Sequence, residues 1–184
     1  QHCNNKIIGA RYYPGGFSAS GNSGLLTNEF LSARDSDGHG SHVAGTAAGN
    51  EGPINTLTQK PVSGVAPRAR IAVYKVCWDP REGDGGCASS DSAAAIDQAI
   101  ADGVDVINFS IGGSSTSFSS PDDIAFLFAA DAGVWVATSN GNAGPGAQTT
   151  GTPAGVPWIT AVGAMQDDEV FALNLEVSGD LEDS

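Results

Sequence analysis

The sequence is poor in positive charge. Eight lysines and arginines stand against twenty-one aspartates and glutamates, a formal net charge of −13 over 184 residues. Nucleic-acid binding needs basic stripes that neutralise phosphates, so that class of partner is excluded. A solvated acidic surface accounts for the charge, which favours solubility and leaves the fold open. Long apolar runs are also missing: none approaches the ~20 residues of a membrane-crossing helix. The opening QHCNNKIIGARYYPGG has no basic end followed by an apolar stretch, as a secretory leader would. It has the character of mid-domain sequence, and the chain is expected to be a fragment of a longer protein.

Cysteine and histidine are scarce, three of each. Cys77 and Cys87 bracket WDPREGDGG, a loop that a disulfide could staple; three buried thiols is the other reading. An odd cysteine remains, so Cys3 needs a partner outside this stretch or stays free. A Cys77–Cys87 bond would place the chain in an oxidising compartment. Zinc requires four ligands, or three and a water. His39 and His42 with only His2 beyond them offer no such set, and no metal or other cofactor is assigned. Calcium is left open, because no clear cluster of oxygen ligands is visible.

What is present is enough for one domain with a real core: 40% of residues are hydrophobic, and 25 are glycine. Residues 6–13 read as a strand end and 14–38 as a long polar loop. The small-residue run HGSHVAGTAAG (39–49) reads as a short buried helix stopped by Gly49. Gly45 inside it costs about 1 kcal/mol relative to alanine unless something packs close there. Residues 53–67 read as loop. Strands are expected at 69–78, 104–110, 134–139 and 158–164. Helices are expected at 89–103 and at 120–133, the latter with Ser120 as N-cap and Pro121 first inside. Alternating strands and helices give α/β architecture with a parallel sheet. The near-continuous apolar runs VDVINFS and VWVATS imply strands buried on both faces. Ligands in such sheets bind beyond the strands' carboxyl ends, here SIGGSS (110–115) and SNGNAGPG (139–146).

Three segments carry candidate chemistry. His39 lies between Gly38 and Gly40, so a substrate could reach its imidazole. With an ordinary pKa of ~6.5 it suits a general base, although a lone histidine can equally be a satisfied structural residue. Asn142 follows a buried strand in a glycine-flanked loop. Its amide could donate to developing negative charge, or the loop is only a turn. Ser110, Ile111 and Gly112 leave a strand end where an extended peptide could pair with the backbone; the other reading is a loop that simply exits the sheet.

Together, DSDGHGSHVAG, NFSIGG and SNGNAGP resemble the subtilisin-like serine peptidases, the subtilases, in order and spacing. GTPAGVPWITAVGA (151–164) and GVAPRARIAVYKV (64–76) are similar to further family segments, so the likeness covers most of 31–165. CNNKIIGARYY and YKVCW…GC resemble the plant-type branch and its bacterial relatives, which are secreted. The resemblance implies a three-layer α/β/α fold, incomplete here, with helices on both faces of a parallel sheet. It implies His39 as general base, His42 as a packing residue and Asn142 as oxyanion donor. Ser110, Ile111 and Gly112 become one wall of the substrate cleft; Ser139, Asn140 and Gly141 become a wall of the primary specificity pocket. It further implies a cis Thr152–Pro153 bond, a Cys77–Cys87 disulfide and an upstream partner for Cys3. Ser41 replaces a more frequent threonine and keeps the hydroxyl.

The family's triad is Asp, His and Ser in chain order. No Asp-[Ser/Thr]-Gly precedes His39 and no Gly-Thr-Ser follows Asn142; GTPAG has proline where serine is needed. Asp35 and Asp37 are expected to tie the loop rather than orient the imidazole from behind. Residues 1–165 are therefore expected to be the central part of a catalytic domain. Residues 166–184 are expected to be an acidic tail leading out of the core or toward an inserted domain. The implied partners are a polypeptide substrate, the missing N- and C-terminal parts of the same domain, and an inhibitory propeptide; nucleic acid and membrane are not among them. The alternative is a catalytically inactive subtilase-like binding or structural domain. An α/β-hydrolase elbow at Ser110 fails, because that fold needs its histidine after the serine.

Overall fold

A computed structural model of the chain describes residues 5–21, 24–52, 54–55, 59–82, 85–113 and 118–165. Cys3, His2 and the acidic tail lie outside the described residues. In order the elements are β1 (Ile7–Tyr12), α1 (Gly15–Ala19), α2 (His39–Ala48), β2 (Ile71–Lys75), β3 (Cys77–Trp78) and β4 (Gly86–Cys87). They continue with α3 (Ser89–Asp102), β5 (Val106–Phe109), α4 (Pro121–Asp131), β6 (Trp135–Ser139) and β7 (Thr160–Val162).

The β-branched and aromatic run in β2 is extended and pairs parallel with β1, Ala10 opposite Val73 and Tyr12 opposite Lys75. β5, β6 and β7 form a second parallel sheet in that order. The expected single sheet is thus two, because no strand among the described residues bridges β2 and β5. The run 69–78 also divides: after Lys75 the chain leaves β1, and Cys77–Trp78 pairs antiparallel with β4. There the Cys77–Cys87 disulfide closes the hairpin.

Helix α4 starts as its sequence demands. Ser120 is the N-cap and Pro121 opens the helix, where a missing N–H costs nothing. The Asp123 carboxylate accepts from the Ser120 N–H at 3.2 Å and its hydroxyl at 2.7 Å. α3 ends at Gly103 with φ +76°, a conformation glycine adopts without a Cβ penalty. Helices α3 and α4 pack side by side. Buried Ala95 and Ala99 on one, and Ala125 and Ala129 on the other, recur at four-residue spacing and so mark one face of each helix. Ile96, Phe109, Phe126 and Val136 fill the core, and the rings of Phe109 and Phe126 meet edge-on at 5.1 Å.

Three expectations are corrected. The loop 14–38 contains α1, whose glycines are poor helix formers. A buried carboxylate from α3 nucleates it instead: Asp91 accepts from the N–H groups of Gly16 at 2.6 Å and Phe17 at 3.1 Å. Strands β5 and β6 are buried on one face only. Phe109 and Val136 point into the core while Val106 and Trp135 stand 58% and 62% exposed, since no described element covers that side. Finally, α2 is exposed along most of its length, with only Ala48 buried, and His42 is exposed rather than packed. Segments at its two ends hold it. At the C-terminal end the N–H groups of Gly64, Val65 and Ala66 donate to the carbonyls of Gly49, Thr46 and Ala47 at 3.0, 3.0 and 2.9 Å, which supplies the carbonyls that a helix end leaves unpaired.

Candidate active site

Parallel pairing sets the first part of the site. Phe109 lies opposite Thr138, so the segments that follow, Ser110–Gly112 and Ser139–Gly141, leave the sheet side by side. A Cβ on Gly112 would sit 3.9 Å from Ser139 Oγ and 3.5 Å from the Thr152 carbonyl oxygen. The Gly113 N–H donates to that carbonyl at 2.8 Å, and Thr152–Pro153 is cis. Ser110 accepts from the Asn108 amide at 3.0 Å. Asn140 donates its N–H to the Val162 carbonyl at 2.9 Å, and the Gly141 N–H reaches Ser139 Oγ at 3.2 Å. Gly141 has φ +91°, a turn that strongly favours glycine and sends the chain on to exposed Asn142. A concave space of about 300 Å³ adjoins the first wall, lined by Phe109, Ile111, Gly112, Ser92, Thr152 and Pro153 among others. The structure therefore brings the two glycine-rich segments together at the carboxyl ends of β5 and β6.

His39 comes from another part of the fold. It is the first residue of α2, preceded by Gly38 at φ +98°, and it is exposed. The turn before it is tied as expected. One Asp35 oxygen accepts from the N–H groups of Asp37 at 3.1 Å and Gly38 at 2.9 Å; the other accepts from the Ser41 N–H at 2.8 Å and its hydroxyl at 2.5 Å. The Asp37 carboxylate accepts from the His39 N–H at 3.1 Å. Both acids thus bind main-chain groups at the positive end of the helix. The hydroxyl retained at Ser41 is half of this clasp.

Two residues of this region were missed from sequence. Lys75 donates to Glu29 Oε1 at 2.5 Å and to the Arg34 carbonyl at 2.9 Å, with both side chains almost wholly buried. Burial pushes the Glu29 carboxyl up; hydrogen bonds from Lys75, the Phe30 amide, Ser36 and the Asp79 amide outweigh it and hold the group below its ordinary value. The signal was there to be read: a lysine inside the apolar strand IAVYKVCW must find a partner.

The parallel sheets and their helices form an incomplete subtilisin-like α/β fold. The solved structure of Sphericase superposes with a TM-score of 0.56 and 29% identity, over 89% of this chain and 54% of that one. The chain belongs to the subtilase family, whose sequence pattern it matches over residues 19–179. Among curated relatives, subtilisin-like protease SBT1.5 of Arabidopsis thaliana is 45% identical over 180 residues, covering 95% of this chain and 22% of that protein. SBT5.3 of the same plant is 46% identical over 179 residues, with 95% and 22% covered. The chain spans about a fifth of the length of these relatives.

Proposed function

We propose that this chain supplies the base and the oxyanion donor of a secreted serine endopeptidase. A serine outside residues 1–184 attacks the peptide carbonyl. His39 takes its proton and later returns it to the leaving amine, and an aspartate, also outside this stretch, orients the imidazole. The Asn142 amide donates to the oxygen as it becomes negative. The substrate backbone pairs along Ser110, Ile111 and Gly112 as an added strand, and its side chain enters beside Ser139, Asn140 and Gly141. The observation that carries this reading is the glycine-lined convergence of the β5 and β6 ends, with Gly112 within a Cβ's reach of Ser139. Family membership supports it, and the Cys77–Cys87 disulfide fits an extracellular location.

The test uses the full-length protein and a fluorophosphonate probe, which labels an activated serine. Labelling is expected in the wild type. His39→Ala should lower kcat by about 10⁶-fold and Asn142→Ala by about 10²- to 10³-fold, magnitudes known from subtilisin itself. Labelling of His39→Ala at an undiminished rate removes the role of His39. A folded wild type that takes no label favours the inactive binding domain.

A further inference from the structure

We propose that Lys75, gripping Glu29, is a positioning residue for His39; this rests on His39 being the base. Lys75 is the last residue of β2, a strand fixed by its pairing with β1. Its ammonium lies 4.6 Å over the Trp78 ring, a further attraction for a desolvated cation. Glu29 is held from the other side as well: Oε1 accepts from the Phe30 N–H at 2.7 Å and Oε2 from the Asp79 N–H at 3.3 Å. Backbone pairing fixes the start of this segment, with the Leu26 N–H on the Asp79 carbonyl at 3.0 Å and the Arg81 N–H on that of Gly24 at 2.8 Å.

The contacts then run without a break to the base. Lys75 holds the carbonyl of Arg34, whose guanidinium stacks 4.2 Å over Phe30. The next residue is Asp35, whose carboxylate clasps Gly38 and Ser41 on either side of His39. Residues 31–37 lie in no helix or strand, so these side-chain contacts do most to set their course up to Gly38, whose carbonyl accepts the first helix bond from the His42 N–H at 2.9 Å. An apolar pair of equal volume would pack as well as the Lys75–Glu29 pair. It could not hold a main-chain carbonyl beside the helix that begins with His39. A catalytic group displaced by ~1 Å can lose about 100-fold in rate, and the irregular segment before His39 gives such a displacement a route.

The experiment measures kcat per active site in the full-length protein, with sites titrated by a fluorophosphonate, so that molecules which fail to fold drop out of the value. Lys75→Met keeps an unbranched apolar side chain of similar length and removes both donations. Its kcat per titrated site is expected to fall about 10- to 100-fold, with KM held within about twofold. An unchanged kcat per site overturns the proposal, because a purely structural role would change only the number of sites. Should Lys75→Met not accumulate, Glu29→Gln reads the same quantity: a fall of about three- to tenfold supports the proposal and no fall overturns it. His39→Ala separates the two readings. If it retains full rate, the base assignment is lost and this role with it. If it is inactive while Lys75→Met is intact, only the positioning role is lost.

Discussion

Asp35 shows how one side chain can define a helix start in a glycine-rich sequence. Gly38 and Gly40 give the turn little intrinsic preference for one conformation, and the carboxylate supplies it by binding Asp37, Gly38 and Ser41. Burial pushes its pKa up. The Ser41 hydroxyl and the amides of Gly38, Ser41 and Asp37 outweigh that and hold the group at about 2, from an ordinary 3.8. A carboxyl depressed in the folded state contributes stability above its unfolded pKa and loses it as pH falls through the folded one. The contribution is therefore complete above about pH 4 and disappears toward pH 2. Asp35→Asn is expected to lower the Tm of the full-length protein at pH 7, and the gap from wild type should close as pH falls through that window. Calorimetry across the acid range decides it: a gap that stays constant would mean that the carboxylate charge does not hold the turn.

At the scale of elements, α2 depends on backbone contact at its C-terminal end. A Cβ at Gly64 would lie 2.2 Å from the Gly49 nitrogen, 2.7 Å from the Ala48 nitrogen and 2.7 Å from the Gly45 oxygen. All three are main-chain atoms that cannot swing aside. Gly64→Ala is expected to destabilise the full-length protein by about 1–3 kcal/mol or more, read from urea unfolding midpoints at constant m-value; unchanged midpoints would show that the 64–66 segment does not seat there. Gly49 has the same kind of need: its φ is −56°, and its missing Cβ leaves room for the Gly45 carbonyl at 2.6 Å. Sequence reading found the stop at Gly49, and Gly49 is indeed the helix C-cap, its N–H on the Gly45 carbonyl; what it could not find is the segment fifteen residues on, whose Gly64 N–H donates to the Gly49 carbonyl at 3.0 Å. Legibility followed the same division. Local signals, such as Ser120-Pro121, Gly103 and the apolar runs of β5 and β6, located most of the helices and strands, and family motifs pointed to the strand ends that converge. What escaped depends on distant partners: α1 requires Asp91, and Lys75 requires Glu29 from an apparently featureless loop; the Cys77–Cys87 bond was expected, and only the short hairpin it closes was not.

At the scale of the whole molecule the question is what covers the apolar side of the second sheet. Val106, Trp135 and Val162, which share one face through the strand register, are more than half exposed. A parallel sheet is normally covered on both faces, and a soluble protein rarely leaves a large contiguous apolar patch open to water. The chain spans about a fifth of its relatives' length, so polypeptide outside residues 1–184 is expected to supply both this covering layer and the nucleophile. Tryptophan reports on the first point and chemistry on the second, in the same pair of samples. Trp78 is 1% exposed and Trp158 half-buried, against 62% for Trp135, so acrylamide should quench the isolated 184-residue chain most strongly at Trp135, and Trp135→Phe should remove a large part of that quenching. In the full-length protein Trp135 should be shielded. If the proposed function holds, the isolated chain should also hydrolyse no peptide and take no fluorophosphonate. Equal quenching of Trp135 in both samples would show that the face stays open, and hydrolysis by the isolated chain would place a nucleophile within residues 1–184.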